Sequence, residues 1–245
     1  MRLDKILVEQ GYARSRERAR ELIESGSILV NGRAVRRVSM TCRSDDRIEL
    51  LVPDQAWVSR AGLKLEQAIT TWPIQVEGSI CLDIGASTGG FTQVLLHYGA
   101  QLVYALDVGT DQLVELLRQD PRVVVLEQSN IREVRPEWFS RLPSAEFDLI
   151  TVDVSHISLK HVMPKVVEFL APAGQAVVLV KPQFEVGKDR IGRGVVRDPD
   201  LHRSVLEQVK SQALELGLQV KGQIQSPITG VSGNQEFLLW LTRQL

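Results

Sequence analysis

Leu82-Asp83-Ile84-Gly85-Ala86-Ser87-Thr88-Gly89-Gly90-Phe91 is the stretch that sets the fold of this chain. An apolar strand ends at Asp83, a loop of small residues follows, and a helix is predicted over 90–98. Small residues let the backbone approach a ligand closely. Outward from this loop, buried-type strands are predicted at 80–84, 102–106, 123–126, 149–152, 176–180 and 237–241. Helical stretches are predicted near 90–98, 111–119, 159–170 and 201–216. Strands alternating with helices predict an α/β, doubly wound, mostly parallel sheet with helices on both faces. In that architecture, nucleotide-like ligands bind at the carboxyl ends of the strands.

Asp107 closes the strand after the loop, where a carboxylate can accept hydrogen bonds from both ribose hydroxyls of an adenosine. A dinucleotide requires Gly-x-Gly-x-x-Gly, which presents a helix N-terminus to a pyrophosphate. Here the glycines are Gly85, Gly89 and Gly90, and Asp83 stands where a pyrophosphate would be repelled. S-adenosyl-L-methionine carries a sulfonium, an ammonium and no phosphate. The expected cofactor-binding set is therefore Asp83, Gly85, Ala86, Ser87, Thr88, Gly89, Gly90, Phe91, Asp107 and Asp153. A glycine-rich structural turn is the plainer alternative, and the position of Asp107 counts against it.

Asp153 and Lys181 end two further predicted strands, Glu236 opens the last, and Lys64 lies in Ser59-Arg60-Ala61-Gly62-Leu63-Lys64-Leu65. Two amines and two acids on one edge can move a methyl group onto a ribose hydroxyl. A lysine acting as base must first lose its proton, which a neighbouring cation and partial burial favour. Lys181 is expected to take the 2′-hydroxyl proton, with Lys64 orienting the ribose and Asp153 and Glu236 holding the two amines. Each residue alone reads as an ordinary strand-end ion pair; the four together do not.

The first 52 residues differ from the rest. They carry 11 Lys+Arg against 8 Asp+Glu, in a chain whose net charge is −1. Leu3, Ile6 and Leu7 space as one helix stopped by Gly11, and a second runs from an N-cap at Ser15 to about Glu24. Strands at 28–30 and 34–35 flank an Asn31-Gly32 type I′ turn, and 46–52 forms another strand. Arg14 pairs with Arg18, and Arg16 with Arg20, at helical spacing; Arg33, Arg36 and Arg37 follow. Clustered guanidinium groups suit phosphate backbones. On charge alone, a solvated face balanced by Glu17, Glu21 and Glu24 is an equally good reading.

No apolar run reaches bilayer length, and the first residues lack the apolar core of a signal peptide, so cytoplasmic residence is expected. Cys42 and Cys81 suit neither a disulfide framework nor a zinc site, and no metal is expected.

With these residues assembled, the chain resembles the TlyA family, bacterial ribosomal RNA 2′-O-methyltransferases also known as haemolysins. The resemblance runs through Arg2-Leu3-Asp4, Trp57-Val58-Ser59-Arg60, the loop at 83–91, Asp153-Val154-Ser155-His156-Ile157-Ser158, Val180-Lys181-Pro182-Gln183-Phe184-Glu185 and Gly233-Asn234-Gln235-Glu236. It implies an S-four type RNA-binding domain at 1–52, a linker at 53–58, and an FtsJ-type, class I methyltransferase domain at 59–245 with a seven-stranded sheet. It maps a Lys-Asp-Lys-Glu tetrad onto Lys64, Asp153, Lys181 and Glu236. It implies a cytidine 2′-hydroxyl of small- or large-subunit ribosomal RNA as acceptor, and it decides the arginines in favour of RNA. One departure is the linker, where some relatives have arginine and this chain has Gln55. Two other readings are a membrane-active haemolysin, against which stands the lack of a spanning or inserting segment, and an RNA-binding module without catalysis, against which stands the complete tetrad.

Overall fold

A computed structural model describes residues 1–10, 12–13, 16–24, 26–43, 46–50, 57–186, 194–230 and 233–244; the side chains of Glu17, Arg18, Glu21 and Leu50 are also outside the description. The expected helix stop at Gly11, the N-cap at Ser15, Arg14, the side chain of Arg18, the strand end at 51–52 and linker residues 53–56, with Gln55, lie outside the described residues. The chain divides into two compact units, Met1–Ala56 and Trp57–Leu245.

In the first unit, α1 (Leu3–Glu9) and α2 (Arg16–Glu24) accompany a three-stranded antiparallel sheet. Its strands β1 (Ile28–Val30), β2 (Arg33–Val35) and β3 (Ile48–Leu50) lie in the order β2-β1-β3. Asn31 and Gly32 turn β1 into β2 with φ of 52° and 76°, the two left-handed residues a type I′ turn requires. Leu3, Leu7, Ala19, Leu22, Ile23 and Ile28 form the core.

The second unit is built on a seven-stranded sheet. Its strands are β4 (Ile80–Ile84), β5 (Leu102–Leu106), β6 (Val123–Leu126), β7 (Phe147–Val152), β8 (Leu170–Val180), β9 (Leu218–Gln225) and β10 (Phe237–Arg243). They lie in the order β6-β5-β4-β7-β8-β10-β9. β4 to β8 are parallel, and β10 runs antiparallel between β8 and β9. Alternate strand residues feed opposite faces. Leu82, Ile84, Tyr104 and Ile150 join a core covered by α6 (Met163–Phe169) and α8 (Pro199–Glu215). Cys81, Val103, Leu149 and Val177 join the core under α3 (Gly62–Thr71) and α4 (Gly90–His97). Each such side chain contributes about 1.5–3 kcal/mol by leaving water.

Several boundaries differ from expectation. The helix expected over 111–119 shrinks to α5 (Glu115–Arg118), because Glu127 captures the N–H groups of Asp111, Gln112 and Leu113. The stretch expected over 159–170 opens with a 3₁₀ turn at Leu159–His161 before α6. β8 is longer than expected, and β9 was not among the expected strands. Among the described residues, no helix is long and apolar enough to cross a membrane, and no group of three or more His, Cys, Asp or Glu could hold a metal. Both cysteines are free and buried.

The strand order reverses at β4. From there the chain steps to β5 and β6 on one side, and then to β7 and β8 on the other. The cleft such a reversal opens lies at the carboxyl ends of β4 and β7. Asp107, Asp153 and Lys181 each follow the last residue of a parallel strand, and Glu236 precedes antiparallel β10, so all four stand at that edge.

Candidate active site

The loop after β4 is held by Asp83. Its carboxylate is fully buried and accepts the hydroxyl protons of Thr92 at 2.7 Å and Thr151 at 2.9 Å. Burial pushes the carboxyl up to about 6; the two hydroxyls oppose that shift, and the charge of Asp153 adds to it. Asp83 thus ties α4 and β7 to the loop and presents no surface to a ligand. Asp83 therefore braces the loop that is expected to hold the cofactor.

Gly85 has φ of 87°, and a Cβ there would strike the carbonyl oxygen of Asp153. Gly89 has φ of 100°, and a Cβ there would strike Leu117. Glycine is required at both. Ser87 also adopts a left-handed φ, 49°, a strained conformation for a residue with a Cβ. Its N–H is caught by Asp107 Oδ2 at 2.9 Å, while Gly109 N–H donates to Oδ1 at 2.7 Å. Asp107 is partly exposed, so a fixed carboxylate keeps outward lone pairs. Ser87 is exposed, Gly85 and Thr88 are partly exposed, and Ala86, Gly89, Gly90 and Phe91 are buried, with Ala86 and Phe91 packed in the core.

This rim suits S-adenosylmethionine. The backbone approaches closely where a Cβ would clash, and Asp107 can take a ribose diol. The segment after Asp107 is pinned by Glu127, which accepts three N–H groups and pairs with Arg118 at 2.7 Å. Burial pushes the Glu127 carboxyl up, but the N–H of Leu113, the Arg118 guanidinium and the other two N–H groups bring it down to about 2.

Beside this rim, four charged side chains converge. Lys181 Nζ lies 2.6 Å from Asp153 Oδ1, Lys64 Nζ lies 3.7 Å from Asp153 Oδ2, and Lys64 Nζ lies 2.6 Å from Glu236 Oε2. Lys64, Lys181 and Glu236 are buried, and Asp153 nearly so. Lys64 comes from the first turn of α3, a segment more than 80 residues before Asp153. Gly230 packs so closely on Glu236 that a Cβ there would lie 2.6 Å from Oε1. Burying four charges is tolerable because each has an opposite partner within ion-pair distance.

Two residues of the quoted motifs acquire a place that sequence reading did not give them. Lys181 Nζ donates to Ser155 Oγ at 2.9 Å. Glu185, in α7 (Pro182–Glu185), accepts Ser158 Oγ at 2.7 Å and Leu159 N–H at 2.9 Å. That brace fixes the loop carrying Ser155 to the short helix that follows Lys181. The only sequence signal for it is the proximity of these residues to Asp153 and Lys181.

In the first unit, Arg16 and Arg20 are exposed on α2 and both reach Asp4, at 3.0 and 3.8 Å. Arg33, Arg36 and Arg37 are exposed on and after β2. Arg36 caps the end of α2 by donating to the Glu24 carbonyl at 3.2 Å, and Arg37 donates to Ser39 at 3.0 Å.

Comparison with known proteins agrees with this geometry. Residues 57–243 match the FtsJ-like methyltransferase family, and residues 1–48 match the S4 domain. The chain is 47% identical to the 16S/23S rRNA (cytidine-2′-O)-methyltransferase TlyA of Mycobacterium tuberculosis, over 99% of this chain and 90% of that protein. It is 42% identical to Hemolysin A of Brachyspira hyodysenteriae, over 97% of this chain and 98% of that protein. Among solved structures, a candidate hemolysin from Streptococcus thermophilus superposes with a TM-score of 0.80 at 42% identity, covering 99% of this chain and 88% of that one. This chain belongs to the FtsJ-like methyltransferases and, within them, to the TlyA family.

Proposed function

We propose that the protein transfers a methyl group from S-adenosylmethionine to a ribose 2′-hydroxyl, that of a cytidine in small- and/or large-subunit ribosomal RNA. The convergence of Lys64, Asp153, Lys181 and Glu236 beside the glycine loop carries this reading. The target class follows the TlyA relative, and an rRNA substrate places the work in the cytoplasm.

When bound, S-adenosylmethionine supplies the electrophilic methyl. Asp107 would hold the ribose of its adenosine, with Gly85, Ser87 and Thr88 lining the approach. Lys181 accepts the proton of the acceptor 2′-hydroxyl on the lone pair of Nζ as the oxygen bonds to the methyl carbon and the methyl–sulfur bond breaks, and Asp153, 2.6 Å away, holds the resulting ammonium. Ser155 fixes the direction of that nitrogen. Lys64, anchored by Glu236, orients the acceptor ribose. Most of the rate gain comes from holding oxygen and methyl in line, since well-oriented groups gain up to roughly 7–11 kcal/mol over a bimolecular encounter. On the first unit, Arg16, Arg20, Arg33, Arg36 and Arg37, with Arg14 and Arg18, contact phosphates. The boundaries read from sequence, 1–52, 53–58 and 59–245, belong to this same proposal.

Lys181→Ala tests the assignment. Methyl transfer to purified ribosomal subunits should disappear, while calorimetry finds S-adenosylmethionine binding nearly intact. Equal activity in the variant would remove Lys181 as the base.

A further inference from the structure

α1 turns Leu3, Ile6 and Leu7 into the core of the first unit, while the Asp4 side chain, with no solvent exposure, lies near the surface beneath the side chains of Arg2, Arg16 and Arg20. A buried carboxylate costs several kcal/mol unless its oxygens are taken. Arg2 takes both, donating Nε to Oδ1 at 2.9 Å and Nη2 to Oδ2 at 3.2 Å. Arg16 Nη2 donates to Oδ2 at 3.0 Å, and Arg20 Nε lies 3.8 Å from the same oxygen. Burial pushes the Asp4 carboxyl up, but the guanidinium groups of Arg2 and Arg16 more than reverse this and hold it below the usual carboxylate range. The three arginine side chains nevertheless remain 46%, 55% and 52% exposed. Each spends part of its fork on Asp4. A guanidinium has five N–H donors, so each keeps donors for solvent.

Among the described residues, three cations gathered on this one anion leave a local surplus of two positive charges, with donors in fixed directions. Unheld arginines would repel one another and give up side-chain entropy on meeting a ligand. We propose that Asp4 is a positioning residue for nucleic-acid binding: it fastens Arg2, Arg16 and Arg20 into one preformed phosphate-binding cluster. The inference rests on the reading of the first unit as the RNA-binding part, and adds Arg2 and Asp4 to it. An acid on an RNA-binding surface would ordinarily weaken binding by charge, whereas this one strengthens it by geometry.

The opposite signs make the test. Binding of the full-length protein to purified bacterial 30S and 50S subunits is measured by filter retention over a range of salt concentrations. The proteins are wild type, Asp4→Asn, Arg2→Gln and the double variant Arg16→Ala with Arg20→Ala. Asp4→Asn should bind about tenfold more weakly despite losing a negative charge, with a salt slope shallower by about one phosphate contact. Calorimetric affinity for S-adenosylmethionine should not change. Asp4→Asn binding as tightly as wild type, or more tightly, overturns the proposal. If the double arginine variant also binds like wild type, the RNA surface lies elsewhere and the underlying reading fails as well; if only Asp4→Asn is unaffected, the positioning role alone fails. Should Asp4→Asn not fold, Arg2→Gln decides: a weaker affinity and a shallower slope support the cluster, and an unchanged affinity overturns it.

Discussion

Asp83 offers a prediction whose size follows from its surroundings. Its carboxyl lies at about 6 in the folded protein, against an ordinary 3.8. The folded state therefore holds this proton more tightly than the unfolded chain does. A raised carboxyl contributes stability that is full below the unfolded value and is lost as pH rises through the folded one. Every tenfold difference in proton affinity between the two states is worth about 1.4 kcal/mol, and at pH 4 the unfolded carboxyl is already partly ionised, so the loss between pH 4 and pH 7 comes to about 2 kcal/mol. Asp83→Asn cannot ionise and should escape it. The variant should lose ground to wild type at pH 4 and gain on it by about 2 kcal/mol on going to pH 7. All four tryptophans, Trp57, Trp72, Trp138 and Trp240, lie in the second unit, so denaturant unfolding followed by tryptophan fluorescence reports that unit. Taking the difference between the two proteins at each pH cancels the other titrating groups. A difference that does not change between pH 4 and pH 7 would refute the bracing role given to Asp83.

Three further outcomes follow from the site. Gly85→Ala places a Cβ against the Asp153 carbonyl at a left-handed φ, so the melting temperature should fall and S-adenosylmethionine binding should be lost; calorimetry and a thermal melt check this. Glu127→Gln releases a charge that holds three backbone N–H groups and should weaken S-adenosylmethionine about tenfold, the worth of one charge-assisted hydrogen bond, with little change in kcat. Ser155→Ala frees Lys181 Nζ on one side, so kcat should fall by about tenfold with cofactor affinity unchanged, as single-turnover methylation and calorimetry can read.

Much of this was legible in the sequence because a parallel sheet sends strand ends to one edge. Asp107, Asp153 and Lys181 each follow an apolar run, so reading the runs located the residues. The glycine loop was legible for the same reason. β9 was not, because Leu218, Val220 and Ile224 alternate with Gln219, Lys221, Gln223 and Gln225 on a sheet edge, and it lacks the continuous apolar run of a central strand. The helix expected over 111–119 had apolar spacing at Leu113, Leu116 and Leu117. Glu127, from the end of the neighbouring strand, took the N–H groups its first turn needed. Asp83 and Asp4 look alike in sequence to any carboxylate near a ligand site. Their tasks are set by hydroxyls and guanidinium groups that arrive from other elements, and spacing carries no trace of that. Ser155 and Glu185 escaped notice for the same reason.

The most direct test is the chemical position of the methyl group. A 2′-O-methyl removes the hydroxyl that attacks the adjacent phosphate in alkali, so a methylated ribose leaves an alkali-resistant dinucleotide. Ribosomal subunits methylated in vitro by the wild-type protein, hydrolysed in alkali and analysed by mass spectrometry, should yield a resistant dinucleotide beginning with 2′-O-methylcytidine, and the Lys181→Ala protein should yield none. A methyl found on a base, or the same dinucleotide from both proteins, would contradict the assignment of Lys181 and its three charged neighbours to ribose chemistry.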